Sequence, residues 1–226
     1  MAAKRKPRKK RPGKAPKTGR SPSHGKPGSG PERLPLPAVS PGRLVLRLLL
    51  WAVPVTLVWI AVTPAYNIFL VHSAENLLHL FESPDATDLV QENRHDVGVL
   101  RRDFPPERSR VSGFRVTDLH FPSILMGALF LAVPVPWRQR LANLGWASLI
   151  SVFFHILLAA LWVQFFYATQ LGSWSVEHYG PAAREFWGMA KHTADLPIKL
   201  ALPLVLWAFF YLRVLLPPSS ASQPVR

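Results

Sequence analysis

Residues 48–71 read LLLWAVPVTLVWIAVTPAYNIFLV, twenty-four residues without a single charge. A helix needs about 20 apolar residues to cross the hydrocarbon layer of a bilayer, so this stretch is long enough to span. It begins too far into the chain, and runs too long, for the core of a cleavable signal peptide. It is read as a signal anchor, with the first transmembrane helix over 44–72 and Arg47 snorkelling back to the cytoplasmic surface. Pro54 and Pro64 lie inside it. Such prolines are tolerated in lipid when neighbouring helices or Ser/Thr groups satisfy the freed carbonyls, which predicts a bend and a packed neighbour.

Charge is distributed unevenly around this anchor. The formal net charge is +14, and residues 1–47 carry 14 Lys/Arg against the single acid Glu32, leaving only +1 for the other residues. A nucleic-acid binder would spread basicity over a folded face, so no nucleic-acid partner is expected. Residues 1–43, rich in Lys, Arg, Pro, Gly and Ser, have little to bury and are expected to form a disordered cytoplasmic tail. The run from Lys4 to Arg11 suits a topological signal and can draw the tail to anionic lipid. The chain has no cysteine, which excludes disulfides, thiolate metal sites and a cysteine nucleophile.

Three further crossings are expected downstream. Residues 119–137, LHFPSILMGALFLAVPVPW, sit between Asp118 and Arg138. Residues 149–168 lie within a stretch, 141–176, that holds no Asp, Glu, Lys or Arg. Residues 196–216 can span if Lys199 and Arg213 reach outward to opposite interfaces. A short basic turn at 138–148, with Arg138 and Arg140, falls on the cytoplasmic side by the positive-inside rule. That puts the tail, this turn and the end of the chain (217–226) inside, and the loops 73–118 and 169–195 outside.

The first outward loop opens on HSAENLLHLFE, where Leu77, Leu78 and Phe81 recur at helical spacing as an amphipathic continuation. Alternation in DVGVL (Val97, Val99) and FRVTDL (Phe114 to Leu119) suits two strands, broken at Phe104-Pro105-Pro106. A hairpin of this kind is marginal in water by itself and needs a support. In the second loop, Pro181 suits the first turn of an interfacial helix. Its apolar face would carry Ala182, Phe186, Met189 and Thr193, flanked by Trp174, Tyr179 and Trp187 as belt aromatics. The expected fold class is thus an all-α integral membrane protein with four transmembrane helices, a small β-hairpin-like outward loop and a disordered basic tail.

Catalytic signatures are missing: no P-loop, Gly-x-Gly-x-x-Gly, His-Glu-x-x-His or Gly-x-Ser-x-Gly is present. No catalytic, cofactor-binding or metal residue is assigned, and no cofactor is expected. His72, His79, His120, His178 and His192 share an outer depth but lack ligand spacing. His155, with Gln164 nine residues on, lies inside the third crossing, where ionisable groups are functional candidates; the alternative is a neutral imidazole bonded to another helix. Asn67 reads as helix glue. The six outward arginines (Arg94, Arg101, Arg102, Arg108, Arg110, Arg115) either grip an anion or balance the eight acids of 82–118.

Residues 119–147, LHFPSILMGALFLAVPVPWRQRLANLGWA, carry an apolar span entered through Phe-Pro, a Pro-x-Pro-Trp exit and Arg-x-Arg-Leu. In these motifs, and in its plan of a signal anchor, a polar outward loop and three more spans over about 43–215, the chain resembles the membrane proteins associated with exosortase H. The resemblance implies a bacterial inner-membrane accessory to a protein-sorting enzyme. Exosortases rely on a Cys with Arg and His, so this Cys-less chain cannot be that enzyme by that chemistry. A non-catalytic accessory, contacting lipid and a larger membrane protein such as an exosortase, is the expected function. The alternatives are a small membrane enzyme or transporter using His155 with outward His and Arg residues, and a membrane-surface organiser acting through the polybasic tail.

Overall fold

The computed structural model describes residues 41–82 and 86–215, with side chains to Leu212. The basic tail, apart from residues 41–43, lies outside the described residues, as do 217–226 and the Arg213 side chain. The chain is mostly helical and holds one small antiparallel sheet. Three helical stretches are long and apolar enough to cross a membrane: Pro41–His79, Trp137–Thr169 and Pro181–Leu212.

Helix α1 (Pro41–His79) runs unbroken through Pro54 and Pro64. The threonines near them bond one turn back, Thr56 Oγ1 to the Ala52 carbonyl and Thr63 Oγ1 to that of Trp59, each at 2.7 Å. These are not the carbonyls the prolines free, at 50 and 60. No residue of α1 before Thr63 is buried, whereas Asn67, Leu70, Val71, Ala74 and Leu78 are. The first half of α1 therefore shows apolar side chains to its surroundings, as lipid contact requires, and the second half is packed inside the protein.

The loop expected to face outward forms three strands, β1 (Thr87–Gln91), β2 (Asp96–Arg101) and β3 (Arg110–Arg115), in order β1-β2-β3. The expected hairpin is β2 with β3; β1 was not expected. Register pairs Leu89 with Val99, and Val97 with Phe114, on one face. All four are buried. Gly98 lies on the opposite face under Glu92, where an added Cβ would come within 2.5 Å of Glu92 Oε1. The alternation read through Leu119 stops early. Strand gives way to the short helix α2 (Val116–His120), because Val116, Leu119 and His120 are all buried against helices rather than on one sheet face.

The segment 119–137, expected as a single span, is broken at Phe121-Pro122. Helix α3 (Ser123–Ala132) follows, then a non-helical turn through the Val-Pro-Val-Pro sequence, where Val135 N–H bonds the Val133 carbonyl at 3.0 Å. Gly127 lets α3 approach α1, since a Cβ there would meet Val55 Cγ1 at 2.8 Å. Residues 138–148, read as a turn, are helical: α4 runs from Trp137 to Thr169, started by Pro136. The charges at Arg138 and Arg140 lengthen the helix past its apolar part without ending it, and Arg140 folds back onto the carbonyls of Val135 and Leu131.

Helix α5 (Ser173–His178) follows Gly172, whose positive φ of 61° suits glycine. Helix α6 (Pro181–Thr193) has Pro181 in its first turn, as expected. It passes into α7 (Lys199–Leu215) through a π-helical turn, Ala194–Ile198, which holds Pro197. Helix α6 turns the face that carries Ala182, Phe186, Met189 and Thr193 away from the rest of the chain, as expected of an interfacial helix. Phe186 and Met189 are 60% and 70% exposed, while Lys191 is 8% exposed. The apolar face points outward and the polar face packs on α4, the arrangement that suits a helix bordered by lipid rather than water.

Two cores result. One joins Leu70, Ala74 and Leu78 of α1, Leu89, Val99 and Phe114 of the sheet, and Leu158, Val163 and Phe166 of α4. The other, at the far end of α4, gathers Met126, Phe130, Val133, Ala147, Leu206 and Tyr211.

Candidate functional site

Where the β1–β2 turn meets the helices, three buried or half-buried side chains and the Arg94 carbonyl form one chain of hydrogen bonds. Trp59 Nε1–H, which can only donate, gives its proton to His120 Nδ1 at 3.3 Å. His120 must then carry its hydrogen on Nε2, which donates to Asn67 Oδ1 at 2.6 Å. Asn67 Nδ2 in turn donates to the Arg94 carbonyl at 2.7 Å. The direction of every bond follows from the two ends. Beside it, Tyr66 O–H lies 2.8 Å from His155 Nδ1. An imidazole nitrogen is a stronger acceptor than a phenol oxygen, so Tyr66 O–H is assigned as the donor to Nδ1 and His155 as holding its own hydrogen on Nε2. The rings of Tyr66, His120 and His155 meet edge to face at 4.9 to 6.3 Å.

His155 and Tyr66 close one end of an apolar slot of about 340 Å³ between α1, α3 and α4. No Asp, Glu, Lys or Arg lines it. Its volume falls in the range of small-molecule sites, about 300–1,000 Å³.

A second cluster ties the sheet to α4. Tyr167 O–H reaches Thr87 Oγ1 at 2.8 Å, and Thr87 bonds Glu82. Tyr179 O–H donates to Gln164 Oε1 at 3.1 Å, and Gln164 Nε2 donates to Glu82 at 3.0 Å. Both chains end on one carboxylate. Burial pushes the Tyr179 hydroxyl's pKa up. Arg101 lies over the rings of Trp174, Tyr167 and Phe104 at 4.4 to 5.2 Å and forms a two-pronged bond to Asp103. Burial works against its charge, but the Asp103 hydrogen bond and charge outweigh it, so the pKa of Arg101 rises. The same hydrogen bond holds the Asp103 carboxyl below the usual carboxylate range.

A third cluster stands on the α6–α7 face that packs inward. Asp195 lies 2.6 Å from Lys199 Nζ and 3.5 Å from Lys191 Nζ, and the three side chains are 13%, 7% and 10% exposed. Lys199 also donates to the Asp118 carbonyl at 3.1 Å, and Lys191 sits 3.6 Å over the Trp162 ring. Lys199 thus turns inward to a carboxylate, correcting the expectation that it snorkels to an interface.

The structure separates residues that the sequence grouped. Gln164 belongs to the Glu82 cluster and does not meet His155. The five outer histidines take separate partners: His79 the Thr87 carbonyl, His178 the Trp174 carbonyl, His120 Asn67, His72 Glu75 and His192 the Phe165 ring. Among the described residues no three His, Asp or Glu converge as a metal site would. Four of the six outward arginines are ion-paired: Arg101 with Asp103, Arg102 with Asp88, Arg110 with Glu92 and Arg115 with Asp96. Trp174 and Tyr179, expected as belt aromatics, contact Arg101 and Gln164. Sequence reasoning missed Tyr66, Trp59 and Asp195. The signal for the last was the i, i+4, i+8 spacing of Lys191, Asp195 and Lys199 across Pro197. No known protein family, curated protein or solved structure matches this chain.

Proposed function

We propose that this protein is a non-catalytic accessory of the bacterial inner membrane that presents its outward sheet to a larger membrane enzyme of the exosortase type. The observation that carries the reading is the shared core: sheet, α1 and α4 bury one another's side chains, so the outward module is fixed to the membrane helices. The polar clusters on this side support it. They end on each other, as in Tyr167–Thr87–Glu82 and the four arginine–carboxylate pairs, which suits a rigid, charge-balanced platform better than a reactive cleft. The side of the sheet away from the helices, with Asp88, Val90 and Leu100, is the surface offered.

In this reading the chain crosses four times, with both termini in the cytoplasm. The weakest crossing is the second. Val116–Ala132, with its interruption at Phe121-Pro122, gives about 25 Å at ~1.5 Å per residue, short of a hydrocarbon core of about 30 Å, so this crossing relies on local thinning of the bilayer.

Co-expression with an exosortase-type enzyme in one membrane, followed by affinity purification, tests the role. A stoichiometric complex is expected that survives His155→Leu and is lost with Val90→Glu combined with Leu100→Glu. If no complex forms with the intact chain, or the purified chain alone has an activity that His155→Leu abolishes, the reading fails.

A further inference from the structure

We propose that the slot between α1, α3 and α4 is a binding site for one acyl chain whose carbonyl end accepts a hydrogen bond from His155 Nε2–H. The hydrogen sits on Nε2 because Nδ1 accepts from Tyr66. His155 is 3% exposed and lines the slot. Its one hydrogen bond among the described residues is at Nδ1, and Nε2 is not one of the fully buried unpartnered atoms, so its N–H is open to an acceptor in the slot. The neighbouring Ser151 hydroxyl donates to Met126 Sδ instead.

The rest of the slot selects the ligand's body. Val55, Val58, Met126, Leu131, Leu144 and Val152 make its walls. From Tyr66 to Trp51, both of which line it, α1 advances fifteen residues, about 22 Å at ~1.5 Å per residue. That length fits an extended hydrocarbon chain and would be poorly filled by a compact ligand. With no Asp, Glu, Lys or Arg in the walls, an ionised head has no counter-charge at the His155 end, and desolvating it would be costly. A neutral acceptor such as an ester carbonyl fits. Val58 on the rim is 63% exposed, so a chain can enter sideways from surrounding lipid. The source is either the acyl ester of a membrane phospholipid or a free fatty acid entering protonated.

Native mass spectrometry of the full chain, purified through repeated detergent exchange, tests the assignment. Wild type is expected to retain one acyl-bearing molecule per chain, its mass telling phospholipid from fatty acid. Val152→Trp and Ser148→Phe, which fill the slot from different positions, should each lower retention at least tenfold while thermal melting shows the chain folded. His155→Phe keeps a ring but removes the donor and should lower it about fivefold, as one hydrogen bond of ~1 kcal/mol implies. Leu57→Trp, on the exposed face of α1, should change nothing. Retention that is absent in wild type, or equal in wild type and either folded slot-filling variant, overturns the proposal.

Discussion

Replacing Asp195 by Asn removes the carboxylate between two buried ammonium groups while keeping its size. The contacts at 2.6 and 3.5 Å correspond to about 6 and 5 kcal/mol of Coulomb attraction at an effective dielectric of about 20. Much of that offsets desolvation of the three groups. Breaking a buried ion pair by removing one partner costs about 3–5 kcal/mol, because the remaining charge is left uncompensated. Here two cations remain, so Asp195→Asn is expected at the upper end of that range. For a chain of this size each kcal/mol moves the melting temperature by about 2–4 °C, which predicts a fall of about 10–20 °C for the purified protein in detergent. The triple change Lys191→Met, Asp195→Leu and Lys199→Met should restore most of it, since apolar groups of similar volume often replace a buried pair without loss. A fall below about 2 °C for Asp195→Asn would show that the two ammonium groups reach water or lipid headgroups, and the buried cluster would be refuted.

Asn67→Leu leaves the His120 Nε2–H and the Arg94 carbonyl without partners, each costing about 1–3 kcal/mol; amide exchange over residues 92–96 should quicken before the rest of the sheet. Arg101→Lys keeps the charge but loses the two-pronged bond to Asp103 and the planar stacking over Trp174 and Tyr167, so a destabilisation of about 1–2 kcal/mol is expected in thermal melts, and no loss would show the cage to be ornamental. Because Asp103 is held below the usual carboxylate range, it stabilises the fold at neutral pH, and that contribution is lost as pH falls through its depressed pKa. Asp103→Asn should therefore lower the melting temperature at pH 7 and have little effect near the acid end of the profile.

What the sequence disclosed was set by hydrophobic length. The anchor in α1, the long apolar stretch of α4 and the helix begun by Pro181 were legible because an apolar run or a proline acts locally. The shape of residues 119–137 was less so: Phe121-Pro122 and the Val-Pro-Val-Pro exit break the helix without interrupting the hydropathy. Strand β1 escaped notice because five residues with Thr87 and Gln91 on the buried side barely alternate. The face of α6 was legible from the spacing of Ala182, Phe186, Met189 and Thr193, all of which stay exposed on the helix. His155 was recognisable as unusual for lying mid-span. Its partner Tyr66, 89 residues earlier, and the Lys191–Asp195–Lys199 cluster depend on which helices meet, and composition does not carry that.

The account rests on the sheet and the start of α7 lying on the outer side while the start of α4 lies inside. Single cysteines introduced at Asp96, Gln139 and Thr193 into this Cys-less chain, challenged with a membrane-impermeant maleimide on intact spheroplasts, test this directly. Positions 96 and 193 should label at once and position 139 only after permeabilisation; a cysteine at 96 that labels only after permeabilisation would contradict the account.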